Sequence, residues 1–123
     1  MNQKEKFVEF LIDSTLKGEI AWKSIGMQSS ISQYITNPDM ISQIFYSPVK
    51  ENDIFLVIQK YLSFFPDSDL PIEQFVKFLL VLNANSLVYS VYESEVSEDM
   101  LNTLAEEIRG KHESAFFENF MKK

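Results

Sequence analysis

Apolar and polar positions along the chain change period several times, and each change predicts an element. From Gln3 to Lys17, at about 100° per residue, Glu5, Lys6, Glu9, Asp13 and Lys17 gather on one face, which predicts a helix. Phe7, Val8, Phe10, Leu11 and Ile12 spread over most of the remainder, so the helix should meet the core on more than one side. Gly18 stands where a left-handed cap residue would end it. Ile20 and Trp22 then alternate with Glu19, Ala21 and Lys23, which predicts a short strand. The stretch from Gln28 to Thr36 stays ambiguous, since Ser and Gln dilute the helical spacing of Ile31, Tyr34 and Ile35.

Asn37-Pro38-Asp39 can cap a helix or turn into a strand. The strand reading, over Ile41–Val49, is preferred because of the residues C-terminal to it. Lys50-Glu51-Asn52-Asp53 is a polar break, and Ile54-Phe55-Leu56-Val57-Ile58 beyond it is rich in β-branched and aromatic residues. Together they predict a β-hairpin. A loop around Pro66-Asp67-Ser68-Asp69-Leu70-Pro71 leads to a second hairpin, Phe75–Leu82 and Leu87–Glu93, joined by Asn83-Ala84-Asn85-Ser86. From Ser97 the period is helical again. Leu101, Leu104, Ala105 and Ile108 form a stripe, Ser97 is placed to cap, and Gly110 marks a stop or a loose joint.

The expected fold is α+β: an N-terminal helix, an antiparallel meander of about four or five strands, and a C-terminal helix, as a single domain spanning residues 1–123. The two helices would cover one face of the sheet. The expected core is Phe7, Phe10, Leu11, Trp22, Leu56, Ile58, Leu80, Tyr89, Leu101, Leu104 and Ile108.

The segment Phe7–Trp22 carries a short pattern: Phe10-Leu11-Ile12, then Thr15, Gly18, Ile20 and Trp22, or T-x-x-G-x-I-x-W. It resembles the opening of small uncharacterised proteins of Gram-positive bacteria and their phages. The resemblance implies the same order of helix, strands and final helix, and implies no chemistry.

Composition narrows the chemistry further. The chain has no cysteine, which excludes disulfides, thiolate metal sites and cysteine nucleophiles. Its one histidine, His112, leaves no pair of imidazole ligands. Three glycines and no G-x-G-x-x-G pattern argue against a phosphate-cradling loop. Asp67, Asp69 and Glu73 alternate in a way that invites a calcium reading. Counted from Asp67, however, the glycine and glutamate of an EF-hand loop are replaced by Ile72 and Phe78. A turn that satisfies its own backbone explains these acids better. His112 is expected on the apolar side of the last helix as a packed, hydrogen-bonded ring, and Trp22 as a core residue whose indole N–H needs a partner. No catalytic residue, cofactor or metal is therefore expected.

The charge is −7 overall, and it is lopsided: six bases and seven acids in residues 1–60, five and eleven in residues 61–123. Such acidity argues against direct nucleic-acid binding. The start lacks an unbroken apolar core for a leader, and no run is long enough to span a membrane, so a cytoplasmic location is expected. On the last helix Asp99, Glu106 and Glu113 stand seven apart, opposite the apolar stripe. A solvated face is the simpler reading of this line. The sharper one is a stripe that steers a basic or nucleic-acid-binding protein partner, with Phe117 landing on the same side if the helix runs past Gly110. For Phe116, Phe117, Phe120 and Met121, folding back onto the sheet is preferred over exposure to another chain. These features point to a protein-binding inhibitor, immunity protein or phage product acting on its host. The alternative is a homo-oligomeric accessory protein of a phage or mobile element.

Overall fold

In a computed structural model of the protein, residues 1–67, 69–85 and 87–122 are described. Ser68 and Ser86, expected in loops, and Lys123 of the tail lie outside the described residues. The order is α1 (Gln3–Leu16), β1 (Lys23–Ile25), α2 (Ser29–Ser32), β2 (Ile41–Val49), β3 (Asn52–Ser63), β4 (Ile72–Leu82), β5 (Val88–Tyr92) and α3 (Met100–Met121). The strands form one antiparallel sheet in the order β1-β2-β3-β4-β5. The α+β meander expected from the pattern is the fold observed. Contacts group the chain into two units, residues 1–22 with 93–123, and residues 23–92.

In the first unit, α1 opens on a capping box. The Asn2 side chain accepts from the Glu5 backbone N–H at 2.7 Å, and the Glu5 carboxylate accepts from the Asn2 N–H at 3.0 Å. It closes on a Schellman motif: Gly18 takes φ +76°, its N–H donates to the Thr15 carbonyl, and the Glu19 N–H donates to Ser14. Helices α1 and α3 pack together, and the buried positions are Val8, Leu11, Ser14 and Thr15 on α1 with Leu101, Leu104, Ala105 and Ile108 on α3.

Several expectations in this unit are corrected. Phe10 is 42% exposed and Phe7 only half-buried, because the buried stripe of α1 runs through Val8, Leu11 and the small polar pair Ser14 and Thr15. Phe10 lies about 200° around from Val8 and falls outside that stripe. Ile20 and Trp22 are buried but form no strand; β1 begins at Lys23, and the Ile20 N–H is spent on the Ser14 carbonyl. Ser97 is not the cap of α3. Asp99 is, at φ +69°, its carboxylate accepting from the Asn102 side-chain amide at 3.2 Å and not from a backbone N–H of the helix, while the Ser97 N–H and hydroxyl both donate to the Glu5 carboxylate. Gly110 neither stops nor loosens α3, which runs unbroken to Met121. One exposed glycine costs a helix interior only about 1 kcal/mol, too little to end it without a following proline or positive φ.

In the second unit, the β2–β3 connection is a two-residue turn, Lys50-Glu51, with both residues at positive φ (48° and 65°). That is the backbone of a type I′ turn, built here without glycine. The Asn52 amide braces it by donating to the carbonyls of Val49 and Lys50. Strand β3 is buried on both sides from Ile54 to Gln59, as its continuous apolar run implies. On one face Ile44, Phe55, Val57, Phe78 and Leu80 join Ile31 and Ile35 from the segment around α2 in a single cluster. On the other face Phe45, Leu56, Leu79 and Val91 form a buried row across four strands. Tyr89 shares that face but stays 55% exposed, contrary to expectation, because it sits on the edge strand β5 toward its open end. The β4–β5 connection is organised by Asn83, whose side-chain oxygen accepts from the N–H groups of Asn85 and Leu87.

Candidate interaction surface

The pattern T-x-x-G-x-I-x-W has a structural reason. Gly18 takes a left-handed conformation at the end of α1, Ile20 is buried, and Trp22 donates its indole N–H to the Thr15 hydroxyl at 2.9 Å. Thr15 in turn donates to the Leu11 carbonyl at 2.6 Å. His112 of α3 donates from Nε2 to the Trp22 carbonyl at 2.6 Å. Because a carbonyl can only accept, the proton resides on Nε2, and that nitrogen is committed to holding the returning segment. The surrounding groove, about 340 Å³, is lined by Ile20, Trp22, Ile108, His112 and Ala115. Thr15 and Lys111 also line it, with the Thr15 hydroxyl already engaged by Trp22 and Leu11.

A second cleft, about 390 Å³, lies in the sheet unit beside Lys23, Gln28, Tyr46, Asp53 and Phe55. The Tyr46 hydroxyl donates to the Asp53 carboxylate at 2.7 Å, and this bond holds the phenol above its ordinary pKa. Tyr46 is thereby kept as a neutral donor. Glu73 stands on β4 and pairs with Lys60 of β3 at 2.6 Å. Among the described residues no three of Asp, Glu and His converge on one point that could hold a metal ion.

The acidic line on α3 divides. Glu106 and Glu113 are exposed, seven apart on one continuous helix, and Phe117 follows one turn later on the same side at 50% exposure. Asp99 is also exposed, but as the left-handed cap it lies outside the helical repeat, so it does not continue the line. The tail continues α3. Phe116, Phe117, Phe120 and Met121 are all exposed, Phe120 at 77%. Their rings contact one another, Phe116 against Phe117 edge-on at 5.3 Å and Phe116 stacked over Phe120 at 6.0 Å. The expectation of a fold-back rests on the rule that exposed aromatic clusters mark interfaces or aggregation; α3 is unbroken through Gly110, and the cluster is exposed.

A further exposed apolar region is not among the sequence-based expectations. Tyr61, Leu62, Phe64 and Phe65 at the end of β3, with Ile72 and Phe75 on β4, are all exposed. The signal for it is the apolar run Tyr61–Phe65, which continues past the point where polar residues would be expected.

No family model matches the chain, and no curated protein or solved structure is significantly similar to it. No helix, among the described residues, is long and apolar enough to cross a membrane.

Proposed function

We propose that the chain acts by binding another protein and carries no chemistry of its own, in the manner of an inhibitor, an immunity protein or a phage product directed at host machinery in the cytoplasm. One observation carries this reading: the last turns of α3 offer Phe116, Phe117, Phe120 and Met121 to solvent directly beyond Glu106 and Glu113. Aromatic anchors beside a charged approach are what a protein interface uses, the rings for affinity and the carboxylates for steering. The partner that fits has an apolar pocket flanked by basic residues, such as a nucleic-acid-binding surface. The resemblance of Phe7–Trp22 to small Gram-positive and phage proteins supports a phage or bacterial origin.

The test is affinity capture from the native host with cross-linking and mass spectrometry, followed by binding kinetics with the purified partner. Phe117→Ser with Phe120→Ser should abolish capture while leaving circular dichroism unchanged. Glu106→Lys with Glu113→Lys should slow association by about tenfold, less at high salt. Unchanged capture by the double serine variant would remove this surface from consideration.

A further inference from the structure

The cleft beside Tyr46 belongs to one face of the sheet. Lys23 stands opposite Tyr46, Tyr46 opposite Phe55, and Ile25 opposite Ile44. Directly opposite residues share a face and the side-chain period is two, so Lys23, Ile25, Tyr46, Asp53 and Phe55 all lie on that face. Gln28 and Ser30, from the segment after β1, add to the lining, and the volume is about 390 Å³. That is near the lower end of the about 300–1,000 Å³ of small-molecule sites. The cleft takes a small ligand.

Its two ends carry opposite charge. The floor between them is apolar, made of Ile25, Phe55 and the ring of Tyr46, whose centroid is 5.1 Å from that of Phe55. On the β1 side stands the Lys23 ammonium, which makes no ion pair among the described residues. On the β3 side stands the Asp53 carboxylate, whose Oδ1 accepts from the Tyr46 hydroxyl at 2.7 Å and whose Oδ2 is left for a further donor. Strand β2 separates the two charges, and they are offset by two residues along the strands. Their Cα atoms are therefore about 12 Å apart.

Charge selects the occupant by disfavouring ligands of a single sign. An anion held by Lys23 would face the Asp53 carboxylate, and a cation held by Asp53 would face the Lys23 ammonium. A ligand that carries both charges satisfies both ends. In an α-amino acid the ammonium and carboxylate are about 3 Å apart. A charge-assisted hydrogen bond of about 2.8 Å at each end extends the bridge to about 8–9 Å, and the two protein side chains complete it. The ligand's own side chain then rests on the apolar floor, which favours an apolar one. A sugar would need an open ring face, whereas Phe55 is only 4% exposed and Tyr46 is half-buried, their rings tilted against each other. We propose that this cleft binds a free α-amino acid with an apolar side chain, its ammonium on Asp53 and its carboxylate on Lys23. The site goes beyond the protein-binding reading of α3 and does not depend on it.

Amide chemical shifts of the labelled full chain, titrated with L-leucine, test the proposal. Those of Lys23, Tyr46 and Asp53 should move together, with a dissociation constant on the order of 100 µM. N-acetyl-leucine lacks the ammonium and leucinamide lacks the carboxylate, and they stand for the C-terminus and N-terminus of a peptide. Each should bind at least about 10-fold more weakly than leucine. Asp53→Asn keeps an acceptor for the Tyr46 hydroxyl; it should weaken leucine about 10-fold, while N-acetyl-leucine binds no less tightly than before. Lys23→Met keeps the apolar stem; it should weaken leucine by a similar factor, while leucinamide binds no less tightly. Both residues are exposed, so the fold should survive either change, and the comparison of ligands on the wild type decides the matter if it does not. No shift with leucine, methionine or phenylalanine would overturn the proposal. So would equal binding of leucine and its capped forms, binding of glucose in their place, or shifts confined to residues outside the cleft.

Discussion

Replacing Thr15 by Val tests the link that ties Trp22 to α1. The Thr15 hydroxyl is fully buried, accepts from the Trp22 indole at 2.9 Å and donates to the Leu11 carbonyl at 2.6 Å. Valine keeps the shape and has nearly the same helix propensity, so propensity offsets nothing. The Leu11 carbonyl keeps its helical bond, but the indole N–H of a side chain only 6% exposed loses its acceptor. Stranding such a donor costs about 1–3 kcal/mol, and a loss of about 2 kcal/mol should lower Tm by about 8 °C for a domain of this size. Trp22→Phe removes the donor and leaves a smaller ring, at its own packing cost. In the double variant the Thr15→Val penalty should vanish, because neither polar partner is left unpaired, giving a coupling of about 1–2 kcal/mol. Urea unfolding followed by far-ultraviolet circular dichroism covers all four proteins, and Trp22, the single tryptophan, adds a fluorescence readout where it is present. A Thr15→Val protein within about 0.5 kcal/mol of the wild type, or costs that simply add, would refute the hydrogen-bond account of the motif.

Lys50→Asn with Glu51→Gly supplies the residues a type I′ turn favours at two positions now held at positive φ, and should raise stability by about 1 kcal/mol in the same assay. A loss of stability would show that the turn is not of this type. The Glu5 carboxyl is held below the usual glutamate range, first by the Ser97 hydroxyl and then by the Asn2 N–H. The stability it contributes is therefore present above the unfolded value near ~4.3 and disappears as pH falls through the lowered folded value. Ser97→Ala should move the Glu5 titration midpoint upward in a carboxyl-resolved NMR titration; an unmoved midpoint would show that the hydroxyl does not set it.

The hairpins were legible because their signals are local. The break at Lys50-Glu51 between two apolar runs fixes β2 and β3, and the strand expected at Ile41–Val49 is the strand observed. The helices were legible for the same reason, since Gly18 and the stripe from Leu101 to Ile108 act within a few residues. Several of the misses are tertiary. Phe10 is more apolar than Ser14, yet Ser14 is buried, because α3 lies against the side of α1 that carries the small residues. Ser97 has the chemistry of a cap but is engaged by Glu5, 92 residues away in sequence. Strand β4 starts at Ile72, earlier than its polar residues Glu73 and Gln74 would imply, because Tyr61–Ser63 supply a pairing partner. On the candidate surface, the shared side of Glu106, Glu113 and Phe117 follows from spacing alone. The departure of Asp99 depends on a backbone angle that no pattern of residue types announces.

The end of α3 gains little from its own sequence. Beyond Ile108 its side chains are exposed apart from the half-buried His112, and the stretch contains Gly110 and three phenylalanines, none of them a strong helix former. A segment of this length would be marginal as an isolated helix. It is sustained by propagation from the packed turns Leu101–Ile108 and by the bond from His112 to the Trp22 carbonyl. The turns after His112 are therefore the least stabilised part of the helix, and they are the turns that carry the exposed rings. Phe116, Phe117 and Phe120 lower helix propensity and, apart from their contacts with one another, stay half or more exposed, so they contribute little to folding; under the protein-binding proposal a partner that covers them would order the segment and bury the rings in the same step. Under the same proposal, this combination of weak local stability and exposed rings is what would distinguish the tail from a solvated helix face.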